Sequence, residues 1–281
     1  GGMRRRNWFL FSALCFGFAF LYGPILSLIV YSFNESRLVT VWSGFSTRWY
    51  GELFRDPQII DAALLSLRIA AVNATFAVAL GTLAGLAVAR FGRFRGRTLF
   101  TGMIAAPLVM PEVITGLSLL LLFVTLEAAV GWPSGRGVTT ITIAHITFSM
   151  AYVAVIVQSR LSTMDASVEE AALDLGARPW KVFLVITLPI IAPALVAGWL
   201  LAFTLSLDDL VIASFVSGPG ASTLPMVVFS KVRLGVSPDV NALATIIVGV
   251  VTLAVIVSGW LMIRSERRRE RDVQAALADR S

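Results

Sequence analysis

Six stretches of this chain are free, or nearly free, of charge for longer than the roughly 20 residues a helix needs to cross a ~30 Å hydrocarbon core. They run Asn7 to Asn34, Ile69 to Ala89, Thr98 to Leu126, Gly137 to Ser159, Val182 to Leu207 and Val240 to Ile263. The pattern predicts membrane-spanning helices over about 7–34, 66–90, 98–126, 138–160, 186–216 and 240–263. Glu112 alone interrupts the third, which Pro107 and Pro111 should bend, and Pro189 and Pro193 sit near the start of the fifth. Leu210 to Ser230 is also uncharged, but SGPGASTLP breaks it, so it reads as the end of the fifth helix and a folded loop. The first stretch follows Arg4-Arg5-Arg6 yet is too long for a signal peptide and lacks a small-residue cleavage site, so it reads as a retained span.

Composition agrees. Of 281 residues, 57% are hydrophobic and 14% charged, against about 25% charged in a soluble domain. The fold class is therefore an all-α membrane protein. One Cys (Cys15) and one His (His145) leave neither a disulfide framework nor a cysteine metal site. The net charge of +6 could suit nucleic acid, but the basic residues are scattered among short segments and read instead as topology. With both termini cytoplasmic, 16 of the 23 Lys and Arg fall on inside segments, namely Arg4 to Arg6, Arg90 to Arg97, Arg160 to Lys181 and Arg264 to Arg280. Arg37, Arg48, Arg55, Arg68, Arg136, Lys231 and Arg233 remain outside, as the positive-inside rule asks. The aromatic residues Trp42, Phe45, Trp49 and Tyr50 then lie in the first outer loop, as an interfacial belt or a docking surface.

The same topology places residues 161–185 in the cytoplasm. Ser167-Val168-Glu169-Glu170 fits a capping box, and Val168, Ala171, Ala172 and Leu175 form a narrow apolar face. Gly176 supplies a left-handed stop and Pro179 suits the first turn of a second helix. A helix of about eight residues, ~12 Å long, does not hold itself together in water and needs a surface to dock on.

Intramembrane carboxylates are functional candidates by default. Glu112 lies near mid-span directly after Pro111, where a broken helix can line a cavity, and Asp208 and Asp209 lie farther out. Trp199, Phe203, Ser206 and Leu210 share one helix face, with Asp209 nearer to it than Asp208, an arrangement compatible with an organic cation. The competing reading has the Asp residues capping a helix end or pairing with Arg68, Lys231 or Arg233, with Trp199 and Phe203 as plain packing. His145, on an apolar helix, reads as a satisfied interhelical polar residue. No inverted internal repeat of the secondary-transporter kind is visible.

Glu170-Ala171-Ala172, three residues, Gly176, nine residues, Ile186, one residue, Leu188-Pro189 resembles the EAA loop of ABC-importer permeases at every fixed position. The resemblance implies a type I ABC-importer permease fold in the bacterial inner membrane. It also implies a coupling helix whose Glu170, Ala171, Ala172, Leu173, Gly176 and Arg178 meet a cytoplasmic ATPase. The chain has no GxxxxGK[ST] phosphate loop, so it is read as a transport subunit that binds no cofactor itself, with ATP and Mg handled by a partner ATPase.

Ala106 to Phe123, Leu201 to Gly220 and Asn241 to Thr245 are similar to the second permease of bacterial polyamine importers, as are SRLVTVW and STRWYGEL. This similarity implies putrescine as cargo and three kinds of partner: a second homologous permease, an ATPase dimer and an external polyamine-binding protein. It implies a substrate path past Glu112, Asp208, Asp209, Trp199 and Phe203. Glu112 stands where the family leads one to expect Asp, which keeps the charge and lengthens the side chain. The alternatives are another cationic cargo (spermidine or a metal cation) or an ion-coupled secondary transporter.

Overall fold

The structure is a computed structural model that describes residues 2–38, 41–235 and 237–278. Side chains are described within those ranges from Trp8 to Ala254, and beyond that for Ile256, Val257, Trp260 and Arg264. The charges of Arg4 to Arg6 and Arg267 to Arg280, on which the both-termini-inside topology leans, lie outside the described side chains.

The described residues form helices and the connections between them. In order these are α1 (Gly2–Ser32), α2 (Arg48–Leu53), α3 (Pro57–Arg90), α4 (Arg97–Val109), α5 (Glu112–Val130) and α6 (Val138–Thr163). Then come α7 (Ser167–Asp174), α8 (Pro179–Val182), a π-helical segment (Phe183–Thr187), α9 (Leu188–Leu207), α10 (Val211–Val216), α11 (Leu224–Leu234) and α12 (Pro238–Ala278). Five runs are long and apolar enough to cross a membrane: Trp8–Ser32, Pro57–Arg90, Glu112–Val130, Val138–Thr163 and Pro179–Leu207. Arg97–Val109 and Pro238–Ala254 are shorter apolar helices.

The third apolar window is therefore two helices and not one bent span. Pro111 forces Met110 into extended backbone (ψ 136°) and itself caps α5. Its carbonyl accepts from the amides of Ile114 and Thr115, at 3.0 and 3.1 Å. The fifth window also differs from expectation. Its helical run begins at Pro179 and stops at Leu207, and the uncharged segment after it holds two further helices, α10 and α11.

The chain divides into two compact units. In the unit of residues 1–57 and 231–281, α1 and α2 pack on α12. The loop after α1 is pinned by Asn34. Its side-chain Nδ2 donates to the carbonyl of Val41 (2.7 Å), its Oδ1 accepts from the amide of Ser43 (3.0 Å), and its backbone carbonyl accepts from Trp49 Nε1 (2.7 Å). Trp49 is buried, whereas Phe45 and Trp42 are exposed, so the four aromatics do not behave as one belt. In the same unit Lys231 Nζ donates to Asp56 (2.8 Å) and Asp239 (2.9 Å).

The unit of residues 58–230 holds two clusters of buried side chains. One joins α3, α5, α6 and α10 through Ile69, Phe123, Ile141, Phe148 and Ile212. The other joins α3, α6 and α9 through Ala74, Ala77, Val153, Val157, Ile191 and Ala202. Helices that lie in lipid gain no hydrophobic drive from one another, so close backbone approach over small residues carries the packing. Gly81 and Gly85 make that approach on α3. A Cβ at Gly81 would lie 2.7 Å from Val153 Cβ, and one at Gly85 2.8 Å from the carbonyl of Ala154.

Gly81→Leu should accordingly push α3 off α6 and cost about 1–3 kcal/mol, the usual range for overpacking. Thermal denaturation of the purified protein in detergent checks this. A midpoint equal to the wild type would mean that the α3–α6 contact is looser than the geometry indicates.

Candidate functional site

The connection between α6 and α9 forms a compact unit built by its own sequence. Asp165 Oδ1 accepts the amide of Ser167 at 3.0 Å, and this bond holds the exposed Asp165 carboxyl below its usual range. The expected capping box is absent. The Ser167 amide, to which Glu170 would have returned, is already taken by Asp165, and α7 starts instead on the carbonyl of Ala166. Glu170 is exposed.

Gly176 ends α7 at φ +84°, with its amide on the carbonyl of Leu173 (2.9 Å) and that of Ala177 on Ala172 (3.1 Å). This is the left-handed stop that favours glycine. Arg178 is extended (ψ 143°) ahead of Pro179, which opens α8. Leu175, Trp180, Val168 and Leu173 are exposed, Leu175 at 89%. A short helix that shows this much apolar surface is suited to burial against another body.

The inward side of α7 is polar. Glu169 Oε2 lies 2.8 Å from Arg90 Nε in the last turn of α3, and Glu169 Oε1 accepts from Thr187 Oγ1 at 2.5 Å. Both charges sit favourably, Glu169 in the first turn of its helix and Arg90 in the last turn of its own. A cavity of about 480 Å³ lies beside them, lined by Leu86, Phe91, Glu170, Leu173, Pro179 and Phe183 among others.

Inside the bundle a second polar network spans α3, α6, α9 and α10. Asn73 Nδ2 donates to Ser149 Oγ (3.2 Å) and to the carbonyl of Ala202 (2.8 Å). His145 lies 2.7 Å from Ser206 Oγ through Nδ1 and 3.1 Å from Asp209 Oδ2 through Nε2. Asp209 also accepts the amides of Ile212 (3.2 Å) and Ala213 (2.7 Å), the first turn of α10. Its carboxylate thereby closes the break between α9 and α10.

The paired acidic residues are thus separated by environment. Asp208 is exposed at the end of α9, while the side chain of Asp209 is only 9% exposed and turned to His145. Glu112 is exposed in the first turn of α5. Trp199 and Phe203 stack at 5.2 Å, and Trp199 Nε1 donates to Thr75 Oγ1 on α3 (3.2 Å). Neither Asp208 nor Asp209 pairs with Arg68 among the described ion pairs.

Neither the group Arg90, Glu169 and Thr187 nor Asn73 is among the candidates drawn from the sequence. Only Asn73 carried a local signal, a lone amide in an apolar span.

Long apolar helices with one short exposed helix, α7, between two of them match the type I ABC-importer permease fold. The chain aligns with the crystal structure of a bacterial ABC transporter that imports the acidic polysaccharide alginate, at a TM-score of 0.67 and 17% identity, over 90% of this chain and 95% of that one. The chain belongs to the family of binding-protein-dependent transport system inner membrane components, whose family model matches residues 77–271. It is 64% identical over 263 residues to the putrescine transport system permease protein PotI of Escherichia coli (strain K12), covering 94% of each chain. It is 42% identical over 251 residues to the spermidine/putrescine transport system permease protein PotC of the same strain, covering 89% of this chain and 92% of that one. Family membership makes this chain a transport subunit of an ABC system and sets aside the ion-coupled secondary transporter.

Asp209→Ala removes a helix cap and the partner of a buried His. It should lower stability by about 1–3 kcal/mol, whereas Asp208→Ala should leave it nearly unchanged. Thermal melts of the two variants decide this, and equal losses would contradict the division of roles.

Proposed function

We propose that this chain is the permease subunit that passes putrescine into the cytoplasm in an ATP-driven importer. The observation that carries the cargo is the 64% identity to PotI along 94% of both chains. In this reading the chain pairs with a second, related permease. A pair of ATPases supplies ATP and Mg chemistry from the cytoplasm, and an external binding protein delivers the polyamine. A crystal structure of the alginate transporter in complex with a substrate-bound periplasmic protein, similar in fold at a TM-score of 0.65, supports the last of these.

The coupling surface is α7 and the turn after it, with Glu170, Ala171, Ala172, Leu173, Gly176 and Arg178 facing the ATPase. The exposure of Leu175 and Trp180 supports this reading. The diamine carries a positive charge at each end, so carboxylates in the path must be accessible and not already paired. Among the described residues, Glu112 and Asp208 are exposed and have no ion-pair partner. Asp209 is engaged by His145 and two amides and acts as a support. Trp199 and Phe203 contribute the α9 packing surface beside α3.

Uptake of putrescine into vesicles that carry the assembled importer should need the ATPase, the binding protein and ATP together. Glu112→Gln and Asp208→Asn should each reduce uptake about tenfold, the factor for ~1.4 kcal/mol, with assembly intact. Gly176→Val, a β-branched residue at a left-handed position, should abolish ATPase copurification. Uptake that proceeds on a proton gradient without ATPase would contradict the proposal.

A further inference from the structure

The two ends of the EAA-like motif meet. Glu169, immediately before Glu170, receives the hydroxyl of Thr187, immediately before Leu188-Pro189. The reason lies in Pro189. It has no amide to offer the carbonyl of Val185, and in α geometry its ring would collide with that carbonyl. The chain answers with a π segment over Phe183–Thr187, in which the amide of Leu188 reaches the carbonyl of Phe183, five residues back. Such widened turns recur at functional sites. Thr187 ends the segment, is 1% exposed, and presents its hydroxyl to Glu169 at 2.5 Å.

The other oxygen of Glu169 faces Arg90, at 2.8 Å, with side-chain exposures of 13% and 21%. One carboxylate therefore ties α7 to two long elements at once, the end of α3 and the start of α9. The helix run that carries Thr187 continues through α9 to Leu207 and ends at Asp208. Within α7 the charges divide the work: Glu170 is exposed, and Glu169 faces the protein.

We propose that Glu169 is a positioning residue for transport: with Arg90 and Thr187 it clamps α7 to α3 and to the π segment, so that movement imposed on α7 is delivered along α9 to the Asp208 break. The inference rests on the reading that α7 meets an ATPase. A plain brace would hold α7 in place without coupling it to α9. The carboxylate's simultaneous hold on two elements, and the placement of one contact in a π segment, favour transmission.

The test uses the whole importer in proteoliposomes, with the second permease, the ATPase pair, the binding protein and external putrescine. Three quantities are read: ATPase copurified, ATP hydrolysed, and putrescine moved per ATP. Glu169→Gln keeps an acceptor for Thr187 and loses the charge that faces Arg90, and Thr187→Val keeps the volume and loses the hydroxyl. Both should copurify ATPase as the wild type does while putrescine moved per ATP falls about tenfold, the factor for ~1.4 kcal/mol. Arg90→Glu should fall likewise, and the double variant Arg90→Glu/Glu169→Arg should recover at least half of the lost ratio.

Single variants that keep the wild-type ratio would overturn the clamp. So would variants that lose copurification while whatever still assembles keeps the ratio, since that is a brace. Failure of the parent reading looks different, because the unmutated chain would then transport putrescine without any bound ATPase.

Discussion

A hydrocarbon interior offers no partner to an open amide or carbonyl, so every place where a helix breaks must close its own hydrogen bonds within the protein. Three breaks in this chain obey that constraint by different means. At Pro111 the carbonyl of the proline takes the amides of Ile114 and Thr115. Between α9 and α10 a side chain substitutes for backbone, with Asp209 on Ile212 and Ala213. Ahead of Pro189 the helix widens to π geometry, and the Leu188 amide finds the carbonyl five residues back. Each solution leaves a polar group beside it, namely Glu112, Asp208 and Thr187. The sites proposed for cargo and for coupling are therefore by-products of how the backbone is satisfied.

The same logic explains why adjacent residues of one chemical type have different roles. Glu169 and Glu170 lie about 100° apart on α7, so one is committed to Arg90 and Thr187 while the other is left for a partner. Asp208 and Asp209 divide similarly, by whether the carboxylate is already engaged by His145 and the α10 amides. An eight-residue helix has no stability of its own in water. The ion pair, the Thr187 hydroxyl and the neighbouring turn at Pro179 hold α7 in place. The exposed Leu175 and Trp180 then remain for the proposed ATPase contact.

Much of the fold was legible because its signals are local. Charge-free windows of spanning length, Gly176 at a helix end and Pro179 at a helix start all express preferences of single residues or short stretches. The α7 start misled for an equally local reason: Asp165, one position ahead of Ala166, took the amide that the capping box required. The break at Pro111 was expected as a bend because the pattern cannot tell whether a proline kinks a helix or ends it. What could not be read were pairings between distant segments. Glu169 with Arg90, His145 with Asp209 and Asn73 with Ala202 join residues 79, 64 and 129 positions apart. Nothing in the neighbourhood of either partner announces the other. The aromatic loop shows the same limit, since the burial of Trp49 depends on Asn34 fifteen residues earlier.

Transmission requires that α7 and α9 move as one body, held by Glu169 across the π segment. Its most direct test is a pair of spin labels in a Cys15→Ser background, at Asp174→Cys on α7 and Thr204→Cys near the far end of α9. Their distance is measured in the assembled importer with and without ATP. A clamped pair gives a narrow distance distribution that is the same in both states, and one that broadens when Thr187→Val is added. A wild-type distance that shifts by several ångströms on ATP binding, or that is broad from the start, would show that α7 moves independently of α9 and would contradict it.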